Sequence, residues 1–278
     1  MKKITRRSFL AAAGLTAAAL ALTACGGSSS STASSTASSA ASSEAASSSA
    51  AAELTTVEAG KLTMATNATF PPYEMTTDTG AFEGIDVDTA QAIAEKLGLE
   101  LQIDDMEFDA ALLSVQQGKA DIVMAGVTVT DERKAVMDFS GSYATGIQSI
   151  IVPEGSDIAT PDDLAGKKIG TQRGTTGYIY CSDDFGDENV VAYDSGLTAV
   201  QALNNGQVDA VVIDNAPAQE YVAANPGLVI LDTSYAEEDY AIGMAKGSAL
   251  EDAINAALEE LKADGTLQSI VDKYITAE

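Results

Sequence analysis

The sequence predicts an α/β fold made of two lobes, and the main observation behind this is a repeated unit. Residues 114–125 and residues 202–213 lie 88 positions apart and share one pattern. Each copy is typical of the end of a helix, a Gly-x-x-Asp step and an apolar strand. Glycine suits a left-handed helix C-cap, and a central parallel strand is apolar on both faces. The repeat therefore predicts two sheets of similar design, one in each lobe.

A second observation is the alternation of strands and helices along the chain. A strand is predicted at residues 61–66, a helix at 86–97 that is closed by Gly98, and a strand at 99–103. The next predicted elements are a helix capped by Asp109, strands at 147–152 and 168–171, and a helix that ends at Asp183. Alternation of this kind indicates βαβ units and parallel sheets.

A third observation is the loop 125–133, which follows the short apolar run 122–124. In open α/β sheets, ligands bind beyond the carboxyl ends of the strands. The loop supplies a hydroxyl at Thr128 and, at Arg133, a guanidinium that can clamp a carboxylate through two hydrogen bonds. A simpler interpretation is that Thr130 caps a short helix and that Arg133 is a solvated residue of its first turn. The loop alone does not decide between the two.

The second copy of the repeat ends in an acid. Its strand runs into Asp214 and Asn215, so the two lobes would present one cationic and one anionic group from their strand ends. A zwitterion is the simplest ligand that needs both.

The loop 172–177 of the second lobe carries glycines and hydroxyls at the start of a predicted helix. Free backbone N–H groups at such a position bind anions. A plain threonine cap explains the same residues equally well. Both interpretations stay open.

Two aromatic residues, Phe70 and Phe108, are predicted near the same edge of the sheet. Phe70 is followed by Pro71 and Pro72, which exclude a central strand, and Phe108 follows the second strand at its carboxyl end. Such residues line a cleft or pack in the core beneath a loop, and the sequence favours neither. Between the lobes, residues 140–146 contain two glycines and small hydroxyl residues, and we interpret them as a hinge.

The first 25 residues read as a lipoprotein signal peptide. A basic start precedes an apolar stretch from Leu10 to Leu22 and a lipobox-like site that ends at Cys25, the predicted lipidation site. An uncleaved membrane anchor is the alternative, but the apolar stretch is shorter than the roughly 20 residues that span a bilayer. The segment 5–10 also resembles a twin-arginine signal, so both the Sec and Tat routes remain open. Residues 26–56 are rich in serine and alanine and are predicted to be a flexible tether.

Charge and composition exclude several classes of function. Of the 15 basic residues, four lie in the signal peptide, so 11 remain in the mature chain against 41 acidic residues, a net charge of −30. Nucleic acid is therefore not an expected partner. The chain has no histidine and one cysteine beyond Cys25, namely Cys181, so a disulfide within the mature body and a Ser/His or Cys/His hydrolase are excluded. We expect no cofactor and no metal.

Several motifs together resemble the polar amino-acid substrate-binding proteins of ABC importers. They lie at residues 61–74, 84–88, 125–133, 173–177 and 261–266. The resemblance implies a type II periplasmic-binding-protein-like fold, with two Rossmann-like lobes joined by a two-strand hinge. Lobe 1 is then expected at 57–146 and 237–278, and lobe 2 at 147–236. It also implies capture of a polar amino acid between two closing lobes, delivery to a membrane permease, and a monomer held outside the cell membrane by its lipid.

The resemblance also assigns roles to the two half-sites. Arg133 corresponds to the clamp on the ligand carboxylate, and Thr128 and Thr176 to hydroxyls that donate to the same group. Asp214 corresponds to the partner of the α-ammonium group, together with the carbonyl of Gly126. These roles agree with the chemistry expected for a zwitterion.

Four more residues are implied in selecting the ligand side chain. Phe70 and Phe108 correspond to its apolar walls, and Gln172 lies near a position that varies among relatives. Asn67 stands where relatives selective for cationic side chains often carry aspartate. A neutral amide there indicates an uncharged polar ligand such as glutamine.

Two other classes of function remain as alternatives. Some cyclohexadienyl dehydratases share this fold, but such an enzyme needs an acid or base poised over a substrate ring, and the sequence shows no sign of one. A sensor module of a receptor would need a transmembrane helix and a signalling domain after the lobes, and none follows before Glu278. We therefore expect a binding protein and not an enzyme.

Overall fold

The computed structural model describes residues 54–275. The signal peptide 1–25 with its lipidation site Cys25, and nearly all of the predicted tether 26–56, lie outside the described residues. Among the described helices, none has the length and apolar character needed to cross a membrane.

The described residues contain eight α-helices and twelve strands, joined by loops and two short 3-10 helices (Pro161–Leu164 and Asp187–Asn189). In chain order the elements are β1 (Lys61–Thr66), β2 (Thr69–Phe70), β3 (Glu74–Thr76), β4 (Phe82–Glu83), α1 (Ile85–Leu97), β5 (Glu100–Asp105), α2 (Phe108–Gln116), β6 (Ile122–Val123), α3 (Asp131–Val136), β7 (Met137–Pro153), β8 (Ile169–Gln172), α4 (Thr176–Phe185), β9 (Val190–Tyr193), α5 (Gly196–Asn204), β10 (Ala210–Asp214), α6 (Asn215–Ala224), β11 (Leu228–Ile230), β12 (Ala236–Ala245), α7 (Glu251–Ala263) and α8 (Thr266–Tyr274).

The main sheet has a parallel group of strands at each end and an antiparallel pair between them. Its order is β5-β1-β6-β12-β7-β10-β8-β9, and β11 pairs with β7. The strands β5, β1 and β6 are mutually parallel, as are β10, β8 and β9, whereas β7 and β12 run antiparallel to each other. The predicted lobe boundaries, at residues 146 and 236, fall within β7 and at the start of β12, and they stay a prediction.

The sequence repeat is also a structural repeat. Gly118 and Gly206 follow α2 and α5 with φ angles of 64° and 66°, and each makes the same backbone hydrogen bond to the residue three positions before it. In each copy the aspartate immediately before the strand holds the neighbouring chain segment in place: the Asp121 carboxylate accepts from the Thr63 N–H, and the Asp209 carboxylate accepts from the Lys168 N–H. Both copies therefore deliver a polar strand end to the middle of the sheet.

The burial of β10 on both faces of the sheet explains why its sequence is apolar up to Asp214. Val211 and Ile213 pack in one hydrophobic cluster, whereas Ala210 and Val212 pack in another on the opposite face of the sheet. Successive side chains of a strand point to opposite faces, so burial on both faces leaves no polar position until Asp214.

Two local expectations differ from the structure. The helix α2 begins at Phe108, and Asp109 lies in its first turn instead of at the cap. Residues 140–146, interpreted as a hinge before a strand at 147–152, are themselves part of the continuous 17-residue strand β7, which begins at Met137. Pairing of residues 137–148 with β12 holds this glycine-containing segment extended.

Candidate functional site

One cavity brings together all nine ligand-binding residues predicted from the sequence. It is lined by Asn67, Phe70, Phe108, Gly126, Thr128, Arg133, Gln172, Thr176 and Asp214, and also by Glu74, Ala125, Gln148, Thr175, Val212 and Ile213. Its water-accessible volume is about 20 Å³, which is room for about one water molecule. The cavity is this small because residues from its opposite walls contact each other directly.

The helix α3 contains Arg133 and tests the two interpretations of that residue. The Thr130 hydroxyl accepts a hydrogen bond from the Arg133 backbone N–H at 3.2 Å, so the predicted cap is present and the helix begins at Asp131. The side chain, however, is buried, with 9% of the residue exposed. The predicted cap is therefore confirmed, and the prediction of a solvated Arg133 is wrong.

The Arg133 guanidinium bridges the two walls of the cavity. It donates to the backbone carbonyls of Thr128 at 2.7 Å and Gly174 at 3.1 Å, and it lies 5.4 Å from the centre of the Phe108 ring. Burial lowers the pKa of Arg133, and the negative charge of Glu238 opposes that shift. No ion pair to Arg133 is present within residues 54–275. A buried cation in this state is expected where an anion binds.

Glu238 on β12 is a residue of this region that the sequence analysis does not predict. One of its carboxylate oxygens, Oε2, accepts three hydrogen bonds of 3.0 Å, from the hydroxyls of Thr128 and Thr176 and from the Gln148 amide. A hydroxyl has a single proton to donate. In this conformation both hydroxyls that were predicted to serve the ligand carboxylate are therefore engaged by Glu238.

Thr175 and Thr176 have different hydrogen-bonding roles at the start of α4. The Thr175 hydroxyl accepts from the Tyr178 backbone N–H at 3.3 Å and donates to the Gln172 carbonyl at 2.8 Å, so it is the helix cap. Thr176, the first residue of the helix, is left to point toward Glu238. The threonine cap predicted for this loop is present, and anion binding by the loop stays a prediction.

Asp214 supplies a buried carboxylate at the carboxyl end of β10. Its Oδ2 accepts from the Gln148 amide at 2.8 Å, and its Oδ1 makes no hydrogen bond of good geometry among the described residues, although the Tyr240 hydroxyl lies near Asp214. Burial raises the pKa of Asp214 to about 7, although the Tyr240 hydroxyl and Gln148 act in the opposite direction. A cation beside Oδ1 would stabilise the ionised form.

Asn67 and Gln172 meet each other across the cavity. The Gln172 amide donates to Asn67 Oδ1 at 2.9 Å, and the same oxygen accepts from the Thr69 hydroxyl at 3.0 Å. The Asn67 amide donates to the Met106 carbonyl at 2.9 Å. The two residues predicted to select the side chain thus form one neutral polar pair.

The aromatic walls are both part of the core and part of the cavity. Phe70 and Phe108 are 8% and 6% exposed, belong to different hydrophobic clusters and line the cavity from two sides. Gly126 lies against Phe70: its φ angle is 55°, and a Cβ atom there would come within 2.9 Å of the Phe70 ring. Only glycine leaves this wall its present shape.

The residues that the sequence analysis misses share a physical signature. Glu74, Gln148 and Glu238 are buried polar residues on strands, where a regular pattern would place apolar side chains. In the first half of β12, Glu238 and Tyr240 are buried while Glu237 and Asp239 are exposed. This two-residue period, in a strand of the predicted hinge, is a signal that points to Glu238.

Comparison with known proteins gives consistent results. Residues 62–277 match the bacterial extracellular solute-binding proteins, family 3. The L-cystine-binding protein TcyJ of Escherichia coli (strain K12) is 33% identical over 226 residues, which cover 80% of this chain and 85% of that protein. The putative ABC transporter arginine-binding protein 2 of the same strain is 31% identical over 227 residues, covering 80% and 93%. Both are named as binding proteins and not as enzymes.

A solved structure extends the likeness to the fold. An ancestral arginine-binding protein bound to glutamine is 42% identical to this chain, with a TM-score of 0.75, and the match covers 79% of this chain and all of that one. The predicted fold class, the two-lobed α/β fold of type II periplasmic binding proteins, is thereby confirmed.

Proposed function

The chain belongs to the bacterial extracellular solute-binding proteins, family 3, and on that premise we propose that it captures a free L-amino acid with a polar, uncharged side chain and delivers it to an ABC importer permease. The observation that carries this proposal is the pair of buried, opposite charges on one cavity. Arg133 has no carboxylate partner and Asp214 has no cationic partner among the described residues. An α-amino acid supplies both.

Charge complementarity explains why a zwitterion is favoured over other small molecules. Burying an isolated charge is unfavourable unless it is paired and hydrogen-bonded. The ligand carboxylate pairs with Arg133, and its ammonium group pairs with Asp214 Oδ1. A ligand that lacks either group leaves one of these charges buried and unpaired.

The size of the cavity implies a conformational step. About 20 Å³ cannot hold an amino acid, so the walls separate to admit the ligand and close over it again. We assign the separating bodies to the predicted lobes, residues 57–146 with 237–278 and residues 147–236, which turn about β7 and β12. The closed form is what the permease would recognise.

The selection of an uncharged side chain rests on Asn67 and Gln172. Together these amides offer donors and acceptors but no charge, which suits a side-chain amide such as that of glutamine. Phe70 and Phe108 enclose the aliphatic stem. The glutamine complex of the ancestral relative supports this choice, whereas the arginine-binding name of the E. coli relative favours a cation.

A thermal-shift screen of the twenty amino acids tests the proposal. We expect glutamine to raise the melting temperature most, by roughly 5–10 °C at 100 times its Kd, because saturation adds about 2.7 kcal/mol of stability. Glutamine methyl ester, which has no carboxylate charge, is the matched control and should give little shift. A larger shift with arginine at pH 7.5 would contradict the uncharged selectivity, and no shift with any amino acid would contradict the function.

The family is extracellular, and we propose that lipid on Cys25 anchors this protein to the outer face of the cell membrane. The anchor would hold the binding lobes near the permease as a monomer, without any contact of the acidic body with lipid. In the full-length chain, Cys25→Ala should move the protein from the membrane fraction to the soluble fraction and leave its ligand affinity unchanged. Retention of the variant in washed membranes would refute lipid anchoring. The buried Cys181 is the matched control, since Cys181→Ala should not change the fractionation.

A further inference from the structure

Glu74 is a buried carboxyl group in the cavity wall that the proposed function does not yet use. The residue has no exposed surface, and neither of its carboxyl oxygens has a hydrogen-bond partner among the described residues when both are treated as acceptors. It lines the cavity together with Phe70 and Asn67. An unpartnered polar side chain in this position is unfavourable unless a proton or a ligand satisfies it.

The neighbour of Glu74 is a second carboxyl group, that of Asp86 on α1. The two groups are close enough to share a hydrogen bond once one of them carries a proton. The ionised form of Asp86 is favoured over that of Glu74, because the Asp86 Oδ2 accepts from the Gly126 backbone N–H at 3.0 Å and the Tyr143 hydroxyl also lowers the pKa of Asp86. Two carboxylates in contact do not both ionise. The proton of the pair therefore belongs on Glu74.

The wider surroundings of Glu74 also favour the protonated form. Burial raises its pKa well above the ordinary value, and the next contributions come from Asp86, from Asp105 on β5 and from Asp214 at the start of α6. Burial likewise raises the pKa of Asp86, to about 6. The other titratable groups facing the pair are three tyrosines: Tyr73 beside it in the chain, Tyr143 on β7 and Tyr221 on α6. Tyr240 on β12 faces Asp214 and Tyr73 instead.

Within residues 54–275, no basic side chain offsets this concentration of acids. The causes that shift the Glu74 pKa are burial and acidic residues, and all of them raise it. Lys273 on α8, the lysine that contacts α1 nearby, is bound to Asp88 at 2.8 Å and is exposed. A cation in this part of the site has to come from a ligand.

We propose that Glu74 senses the charge of the ligand side chain: it keeps its proton when an uncharged polar amino acid binds, and it releases one proton to solvent when a cationic amino acid binds. This inference rests on the proposed function, since it concerns the side-chain end of the same site. With glutamine, the Glu74 hydroxyl donates to the side-chain amide oxygen. With arginine or lysine, the ionised Glu74 pairs with the cation, and the proton count balances because one leaves as one positive charge enters.

The proposal gives the two ligand classes different pH dependences. Linkage of one proton changes affinity by about tenfold per pH unit. Below the pKa of Glu74, arginine binding should therefore weaken about tenfold per pH unit relative to glutamine binding. Ionisation of Asp214 affects both ligands equally, because both carry the same ammonium group, so the ratio of the two affinities isolates Glu74.

Calorimetry on the wild-type protein measures the proton directly. Titrations with arginine and with glutamine at pH 7, each in phosphate and in Tris, give the number of protons released from the dependence of the binding heat on the buffer. We expect arginine to release about one proton more than glutamine, and the affinity ratio of arginine to glutamine to rise from pH 6 to pH 8. Equal proton counts, or no arginine binding up to pH 9, would overturn the proposal.

The variant Glu74→Gln removes the proton that the proposal requires. It should abolish the extra proton released with arginine and make the affinity ratio independent of pH. The matched control is Glu83→Gln, the same substitution at an exposed residue on the neighbouring strand β4, which should behave like the wild type. If Glu74→Gln does not fold, the number of protons released by the wild-type protein on binding arginine and glutamine still tests the proposal. Failure of the proposed function is a separate result, because then neither amino acid binds.

Discussion

Replacement of Arg133 by alanine is expected to weaken amino-acid binding by at least about a hundredfold. The guanidinium is buried, and within the described residues it bonds only to the carbonyls of Thr128 and Gly174. Removing one partner of a buried ion pair leaves the other charge unpaired and is unfavourable by roughly 3–5 kcal/mol. The ligand carboxylate would be that unpaired charge.

The measurement is isothermal titration calorimetry with the amino acid that gives the largest thermal shift. The matched control is Arg173→Ala, which removes a half-exposed arginine from the loop before α4 and should leave affinity within about threefold. Circular dichroism and the melting temperature check that the Arg133→Ala variant is folded. An unchanged Kd in a folded variant would mean that Arg133 does not bind the carboxylate.

Replacement of Asp214 by asparagine is expected to have two opposite effects: weaker binding and a more stable empty protein. Asparagine keeps the shape but cannot pair with an ammonium group, so we expect a loss in affinity of about a hundredfold or more. The empty protein becomes more stable because the substitution removes a buried carboxylate that has an unpartnered oxygen.

The sign of the stability effect follows from the pKa of Asp214. Burial raises it from 3.8 to about 7, so the folded state holds the proton more tightly than the unfolded state. Stability from this group is therefore greatest below about pH 4 and is lost as the pH rises to about 7, by an amount on the order of 4 kcal/mol. Asparagine does not titrate and avoids this loss.

The test is the melting temperature of the empty protein at pH 5 and pH 8. The wild type should lose more stability than Asp214→Asn over this interval, and saturating ligand should restore the wild type but not the variant. Asp232→Asn, a substitution at an exposed aspartate, is the control and should follow the wild type. A variant that is less stable than the wild type at pH 8 would contradict the assignment of Asp214 as a buried charge that waits for a cation.

Much of the cavity can be predicted from the sequence because it lies at strand ends. Thr128, Thr176 and Asp214 each follow an apolar run or a glycine-rich loop, and polar residues there face ligands in open α/β sheets. The residue types at the two strand ends are enough to predict that Arg133 and Asp214 present opposite charges. For Phe70 and Phe108, which local patterns place near the same edge of the sheet, the resemblance to a family favours the cleft over the core, and it adds Gln172, whose role no local pattern specifies.

Other residues of the site depend on pairing between distant strands. Gln148 meets Glu238 because β7 and β12 pair with Gln148 opposite Ala236, and nothing local to either strand sets that register. Glu74 is missed for a related reason, since it lies on the three-residue strand β3, against which the later helix α1 packs. Residues separated by so much sequence come together only through the tertiary fold.

The two interpretations of the loop 125–133 shared the helix cap and differed only in the position of the Arg133 side chain. The cap at Thr130 starts α3, and this turn directs the Arg133 side chain into the cavity instead of into solvent. A local signal for a helix start and a long-range signal for a ligand clamp used the same residues. The helix propensity of the segment could not distinguish them, because both outcomes require the helix.

The three hydrogen bonds that Glu238 accepts affect how a dissociation constant of this protein is interpreted. A ligand carboxylate does not meet free donors at this position, because the hydroxyls of Thr128 and Thr176 already donate hydrogen bonds to Glu238. Under the roles proposed for these two hydroxyls, binding exchanges one acceptor for another, and the empty closed protein competes with the ligand. The dissociation constant reports the difference between two satisfied states, so a modest affinity is compatible with strong individual contacts to the amino acid.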